Sequence, residues 1–364
     1  MNKSYPYVVV GSGLTGATIA RVLHDYGHRV LVLERRSHVG GNVHDYTHPS
    51  GITVHTYGPH YFRTGSERIW KFVNRFAEFY DYRPSIKSLV EGGYENWPVT
   101  KDYIRRSVGE NWSPAFQGTA RNFEEASLAM MPQKIYELFV KGYTEKQWGV
   151  EARALSASLA RRFDVRETGD VELFRHVHQG IPRNGYAAFT RALLHGIPCE
   201  TECDFLKERP YTASRKLIFT GPVDEFFQFR LGCLKYRGQK REHVFIPNQQ
   251  WLQPCGQVNN PDHAKSTHIR TLEWKHMMDA AAARNIAGTL VTRETPYSPE
   301  RAEDYEYPFP DEQNADLFSR YRALAEAEKD VIFCGRLGEY RYYDMDQAIA
   351  RAILIAEKLL QADS

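Results

Sequence analysis

The run Gly11-Ser12-Gly13-Leu14-Thr15-Gly16 lies between an apolar stretch, Tyr7-Val8-Val9-Val10, and a helical pattern from Ala17 to Tyr26, and it leaves the chain few folds to choose from. Three glycines at this spacing allow a tight strand-to-helix turn, close approach of the backbone to a pyrophosphate, and close packing of the helix on the strand. The next strand, Arg29 to Leu33, ends in Glu34, 23 residues after Gly11, where a carboxylate can accept ribose hydroxyls. The glycine pattern alone is a weak signal. With two strands, a helix and an acid in register it predicts a Rossmann-type α/β unit that holds a dinucleotide through Gly11, Gly13, Leu14, Thr15, Gly16 and Glu34.

Which dinucleotide follows from Arg35-Arg36-Ser37-His38-Val39-Gly40-Gly41-Asn42. This second glycine pair resembles the extended motif of the glutathione-reductase-like FAD proteins, whose loop covers the cofactor. FAD is therefore expected, with Arg35, Gly41 and Asn42 added to its site. NADP is disfavoured because Glu34 would repel a 2′-phosphate. Near the other end, Val331-Ile332-Phe333-Cys334 leads into Gly335-Arg336-Leu337-Gly338-Glu339-Tyr340-Arg341-Tyr342-Tyr343-Asp344-Met345-Asp346, and then into a helix through Ile349, Ile353, Ala356 and Leu360. A strand, a glycine turn and a helix N-terminus crowded with arginine and tyrosine offer more hydrogen bonds than a connecting loop needs. Gly335, Arg336, Tyr342, Asp344 and Met345 are expected at the cofactor. His60 follows a Gly58-Pro59 turn, where a lone histidine is more often structural than catalytic.

Charge is nearly balanced, 47 Lys and Arg against 45 Asp and Glu, so no basic field argues for nucleic acid. Five scattered cysteines and the lack of a signal peptide pattern predict a reduced, cytoplasmic setting, and no apolar run approaches the roughly 20 residues of a membrane span. The scattered His and Cys residues form no metal spacing, and no G-x-S-x-G or Cys/His nucleophile signature appears, so neither a metal nor such a protein nucleophile is expected.

Between the ends, Ser66–Tyr80 reads as an amphipathic helix and Pro132–Trp148 as another, with Phe139 and Tyr143 on one face. Aromatics at helical spacing are usually core, yet Lys141-Gly142-Tyr143-Thr144-Glu145-Lys146-Gln147-Trp148-Gly149 is too polar for a core helix end and points to a platform for a flat ring. Arg161 and Arg162 fall in a segment that reads as a mobile loop. Glu225–Leu231 reads as a helix, and alternating segments between Arg241 and Arg293 as an antiparallel sheet. The expected fold class is α/β. Residues 1–80, 186–232 and 325–364 form a discontinuous glutathione-reductase-like FAD-binding Rossmann domain. Residues 100–180 form a helical substrate insertion with a mobile loop, and residues 81–99 plus 233–324 an antiparallel β-sheet domain.

With these segments in view, the chain resembles the UDP-galactopyranose mutases, flavin enzymes that interconvert the pyranose and furanose forms of UDP-galactose. The matches are Gly11–Gly16, Gly40-Gly41-Asn42, Tyr57-Gly58-Pro59-His60, Asn122-Phe123-Glu124-Glu125, Lys141-Gly142-Tyr143-Thr144, Lys146-Gln147-Trp148-Gly149, Thr220-Gly221-Pro222, Glu273-Trp274-Lys275-His276 and Gly335–Asp346. The resemblance implies that Phe139 and Tyr143 hold the uracil and that Trp148 lies beside the sugar. It implies that Arg162, from a closing loop, together with Arg270, Tyr307 and Tyr342, holds the diphosphate. It also implies that Arg336 contacts FAD and that Asp344 lies near the active site. His60, Arg63, Arg162, Arg270 and Asp344 form the expected catalytic set, with His60, Tyr342 and Asp344 also against the cofactor.

The implied reaction is redox-neutral. N5 of the reduced flavin forms a sugar adduct that opens to an iminium, with NAD(P)H as an external reductant, and the furanose serves cell-surface polysaccharide synthesis. A homodimer and a nucleotide-sugar substrate belong to the same expectation. Two departures bear on the substrate: Arg63 stands where the family has histidine, and Leu173 where it has a diphosphate-binding tyrosine. Arg63 either reaches the sugar or ion-pairs within the protein. UDP-N-acetylgalactosamine and dTDP-fucose are therefore alternative substrates, a flavin oxidase or desaturase is the alternative class, and a flavin-binding protein without catalysis is a third reading.

Overall fold

The first strand is buried at Tyr7, Val8 and Val9, and the second is buried along its whole length, Val30–Leu33, as a strand covered on both faces must be. Together they form the centre of a five-stranded parallel sheet. Its order is Cys199–Glu200, Val30–Leu33, Lys3–Val10, Tyr211–Phe219 and Val331–Phe333, so the strand before the C-terminal glycine turn lies in the same sheet as the N-terminal one. Helices Leu14–Asp25 and Met345–Asp363 pack together on this sheet, where the buried alanines Ala17, Ala20, Ala352 and Ala356 let them approach closely and Ile349 joins the same core. The structure is a computed structural model that describes residues 3–363 except Phe163, Thr168, Pro210 and Lys265, and leaves out the side chains of Lys3, Arg162 and Asp363. Among the described residues no helix is long and apolar enough to cross a membrane.

A seven-stranded sheet runs in the order Tyr307–Pro308, Tyr236–Ile246, Thr289–Tyr297, Arg270–Glu273, Gln257–Asn259, Ile86–Val90, Gly93–Trp97. Its junctions are antiparallel except that between Gln257–Asn259 and Ile86–Val90, which is parallel. The parallel junction joins two segments far apart in sequence, so no hairpin dictates their direction. A helical unit follows the edge strand: Lys101–Val108, Phe123–Leu128, Gln133–Ile135, a π-helical stretch Tyr136–Lys141, and Gly142–Trp148. It has its own core of Ile104, Phe123, Ile135, Tyr136, Phe139 and Leu155.

Three local expectations are corrected. The helix predicted over Ser66–Tyr80 is Glu67–Val73, and Phe79–Tyr80 is a strand paired with Ile181–Pro182. Ser66 caps the helix by accepting from the Ile69 amide, but the Phe79 ring packs against Phe62, Trp70 and Phe189, contacts that favour the strand. The helix predicted over Glu225–Leu231 is only Val223–Phe226, because Gln228 and Phe229 adopt φ of 54° and 56°. The segment before Arg162, expected as a loop, is a 3₁₀ helix, Ala157–Arg162, whose Leu159 and Ala160 are buried in the helical unit's core.

Candidate functional site

Two cavities meet where the sheets and the helical unit come together. The first opens at the Gly11 turn. Gly11 has φ +101°, and a Cβ there would lie 2.0 Å from the Thr220 hydroxyl. The Gly40-Gly41 loop folds directly over this turn: the Gly40 amide donates to the Ser12 carbonyl (3.2 Å), and a Cβ on Gly41 would come within 3.0 Å of the Gly13 Cα. Glu34 is buried and orients the turn, its Oε2 accepting from the Ser12 amide (2.9 Å) and hydroxyl (2.6 Å) and its Oε1 from the Arg36 amide (2.9 Å). One lone-pair site on Oε1 is left for a ligand hydroxyl.

This cavity holds about 1160 Å³ including its mouth. Gly11, Gly13, Leu14, Thr15, Gly16, Glu34, Arg35, Gly41, Asn42, His60, Gly335, Arg336 and Met345 all line it, whereas Tyr342 lines the second cavity and Asp344 lies on neither wall. A turn so tight that Gly11 and Gly16 have no room for a Cβ, an open helix N-terminus at Leu14 and a carboxylate beyond it fit a dinucleotide such as FAD. Arg35 lines the cavity with its charge already met by carboxylates, since its guanidinium is 3.0 Å from Glu225, with Asp204 at 3.7 Å and Glu303 at 3.9 Å.

Sequence reasoning missed Arg36 as a site residue. It bonds Asn42 Oδ1 (3.0 Å) and the Glu303 carbonyl and lies 4.3 Å from the Tyr57 ring, tying the glycine loop to the second sheet's edge. The dipeptide Arg35-Arg36 offered that signal. Cys203, Phe205, Leu206, Ala302 and Glu303 also line the cavity, and nothing local marks them.

The second cavity, about 990 Å³ with its mouth, is lined by Phe139, Tyr143, Gln147, Trp148, Asn259, Arg270, Tyr307 and Tyr342, among others. Phe139 lies in the π-helical stretch and Tyr143 in the following helix, and both turn toward the cavity. Phe139 and Trp148 are also core residues. Phe139 stacks on Trp97 (6.5 Å, 19°), and Trp148 packs edge-on to Phe309 (5.6 Å), so each presents only part of its ring. Tyr143 is the more exposed of the three.

Arg270 belongs to a buried network of two arginines and two glutamates. Its Nε bonds Glu294 Oε2, Arg241 Nε bonds Glu294 Oε1 (2.8 Å), and Arg241 grips Glu306 with two nitrogens at 2.8 and 2.9 Å. Burial alone would raise the Glu294 carboxyl, yet Arg270 and Arg241 outweigh it and hold the group below the usual range. Burial pushes the Tyr307 hydroxyl up to about 12, and burial also raises that of Tyr143, so both stay neutral donors beside Arg270.

The wall between the cavities is Arg336 with Tyr307 and Tyr342. The two rings stack (6.1 Å, 13°), and the Arg336 guanidinium lies 4.8 Å from Tyr342 while donating to the Glu306 (2.9 Å) and Tyr343 (3.0 Å) carbonyls. His60 lines the first cavity. Burial, reinforced by His55 and Arg336, keeps its imidazole well below the ordinary histidine value, so it is neutral at physiological pH. Arg63 forms an ion pair with Asp344 (2.8 Å) and lies 3.7 Å over the Phe174 ring, which is the protein-internal alternative foreseen for it. Leu173 offers only its carbonyl, to Arg166 (3.1 Å). The Arg162 side chain lies outside the described residues. Among the described residues, no group of three His, Cys, Asp or Glu residues is arranged to hold a metal.

The curated relatives that match over nearly the whole chain are mutases, while L-amino-acid oxidases match over 41% of it or less. The family model for UDP-galactopyranose mutase matches residues 138–342, and that for an NAD(P)-binding Rossmann-like domain matches residues 9–76. A probable UDP-galactopyranose mutase of Klebsiella pneumoniae is 32% identical over 98% of this chain and 94% of its own. A dTDP-fucopyranose mutase of Escherichia coli is 31% identical over 98% of each. The crystal structure of a reduced UDP-galactopyranose mutase superposes with a TM-score of 0.75 at 14% identity, covering 98% of this chain and 96% of that one.

Proposed function

From the premise that this chain belongs to the UDP-galactopyranose mutase family, and so is an isomerase, we propose that it interconverts the pyranose and furanose forms of a nucleotide-linked sugar. UDP-galactose is the first candidate, dTDP-fucose and UDP-N-acetylgalactosamine the alternatives. The observation that carries this reading is the shared wall of Arg336, Tyr307 and Tyr342, across which a dinucleotide in one cavity and a sugar nucleotide in the other would meet.

The second cavity suits a flat base and a dianionic diphosphate. Phe139 and Tyr143 can flank the base, and Trp148 can border the sugar. The Arg270 guanidinium, the neutral hydroxyl of Tyr307 and the hydroxyl of Tyr342 can meet the phosphates, joined by Arg162 from its own segment. The Glu294 and Glu306 pairs keep Arg270 in one orientation before any ligand arrives, so little ordering remains to be done on binding. Reduced FAD, which Gly11, Gly13, Glu34, Gly41 and Gly335 would hold, would supply the nucleophilic chemistry that a redox-neutral ring change needs. NAD(P)H is the reductant this calls for. Neutral His60 can give or take a hydrogen bond at the meeting point without placing a second cation beside Arg336. Asp344, paired with Arg63, lies on neither cavity wall, so any part it takes passes through that pair.

The deciding experiment incubates dithionite-reduced protein with UDP-galactose, UDP-N-acetylgalactosamine and dTDP-fucose and separates pyranose from furanose by chromatography. The expected result is one redox-neutral isomer pair, formed only by reduced, yellow-purified protein. Steady substrate-coupled oxygen consumption would instead point to an oxidase, which would call for an apolar or amine-binding cavity rather than one lined by Arg270 and tyrosine hydroxyls.

A further inference from the structure

Lys146 does something unusual for a lysine near a helix C-terminus. Rather than reaching into water or back to its own helix, it sends its ammonium into another segment. There four backbone carbonyls surround it, those of Asn260 (2.6 Å), Asp262 (3.0 Å), Ser266 (3.3 Å) and His268 (3.0 Å), so its three N–H donors are all taken and at least one is shared between two oxygens. Four converging carbonyls around one positive centre resemble the oxygen cage of a bound cation, with the cation covalently attached to the helix. These carbonyls belong to the connection between strands Gln257–Asn259 and Arg270–Glu273. Asn259 and Arg270 end those strands and line the substrate cavity, while Tyr143, Gln147 and Trp148 line it from the helix that carries Lys146.

The helix also approaches this connection so closely that a Cβ on Gly142 would lie 2.0 Å from the Pro261 carbonyl oxygen. Its other end is held by Arg237, which donates to the Gln147 (2.7 Å) and Lys146 (3.2 Å) carbonyls.

We propose that Lys146 is a positioning residue of the substrate cavity. Its ammonium, caged by four carbonyls, fastens the wall bearing Tyr143, Gln147 and Trp148 to the wall bearing Asn259 and Arg270. Because these walls would grip the base and the diphosphate respectively, the spacing between them sets nucleotide affinity. The inference rests on the second cavity being the nucleotide site.

The test measures UDP binding by titration to the FAD-loaded protein. Wild-type protein that fails to bind UDP would remove the functional reading itself, a result separate from any effect at Lys146. With wild type binding, Lys146→Met keeps the length and loses the charge. It is expected to weaken UDP tenfold or more and to raise KM far more than it lowers kcat, with FAD content unchanged. Lys146→Ala opens the cage, and added propylammonium is expected to restore UDP affinity to that variant and to leave wild type unaffected. If Lys146→Met binds UDP as wild type does, or if the Ala variant loses affinity that propylammonium does not restore, the positioning role is overturned. The Ala rescue remains decisive should the Met variant fail to load FAD.

Discussion

At the scale of single residues, the buried network around Arg270 has the most to lose. Glu294 is 0% exposed and joins two guanidiniums, so Glu294→Gln leaves Arg270 and Arg241 short of an anion in a dry interior. Breaking a buried pair from one side typically costs about 3–5 kcal/mol. The expected outcome is a large drop in thermal midpoint and in kcat/KM together, read by calorimetry and the furanose assay. Arg63 behaves differently. Its guanidinium is already engaged by Asp344 and by the Phe174 face, so its influence should pass through Asp344. Arg63→Ala and Asp344→Asn are expected to lower kcat/KM non-additively, with a coupling of about 1–3 kcal/mol in a double-mutant cycle. Arg63→His should leave the ratio of specificity constants for UDP-galactose and its N-acetylated analogue unchanged. A shifted ratio would return Arg63 to direct contact with the sugar.

At the scale of elements, two glycines separate the cofactor from the substrate function. Alanine at Gly142 would gain about 1 kcal/mol of helix propensity, but its Cβ would sit 2.0 Å from the Pro261 oxygen, and the overlap outweighs the gain. Gly142→Ala should therefore push the helix off the adjoining connection and raise KM, with FAD content normal. Gly11→Ala has the opposite signature. Its φ of +101° and the Thr220 hydroxyl 2.0 Å from the new Cβ strain the turn that lines the first cavity, so the protein should purify with little flavin absorbance. The π-helical stretch Tyr136–Lys141 belongs to this scale too. It departs from regular α spacing immediately before Tyr143, and a helical pattern read at 3.6 residues per turn cannot foresee it.

At the scale of the whole molecule, a buried carboxyl and a half-buried imidazole give stability opposite slopes with pH. Asp224 is 0% exposed, and burial raises its carboxyl to about 6. Between about pH 4 and 6 the native state binds the proton that the unfolded chain has lost, so this group lowers stability as pH rises, by roughly 3 kcal/mol at most. Asp224→Asn keeps an acceptor for the Leu234 amide (2.9 Å) and should raise the thermal midpoint at pH 7.5 but not at pH 4. His44, stacked 3.8 Å from His38 under the glycine loop, is lowered to about 4 by burial and then by His38. The unfolded chain takes up that proton first as pH falls from about 6.5, so stability contributed here is lost toward pH 4. FAD retention on gel filtration should hold between pH 6 and 8 and fail as pH approaches 4. Retention unchanged at pH 4 would detach the histidine pair from the cofactor loop.

What the amino-acid order determined by itself is whatever depends on local periodicity and on glycine. The strand, turn and helix around Gly11, the acid at Glu34, the second glycine pair and the turn at Gly335 were legible because backbone geometry there admits few alternatives. The mutase family was legible as well, through motifs spread along the chain. Tertiary structure decided the rest. Phe79–Tyr80 became a strand because a partner strand and three aromatic rings met it. Arg63 found Asp344, 281 positions away, and Lys146 found carbonyls more than 100 residues downstream. No local pattern encodes such pairings, since the energy of a buried charge depends on which groups the fold brings within about 3 Å of it, and that is a property of the packed molecule.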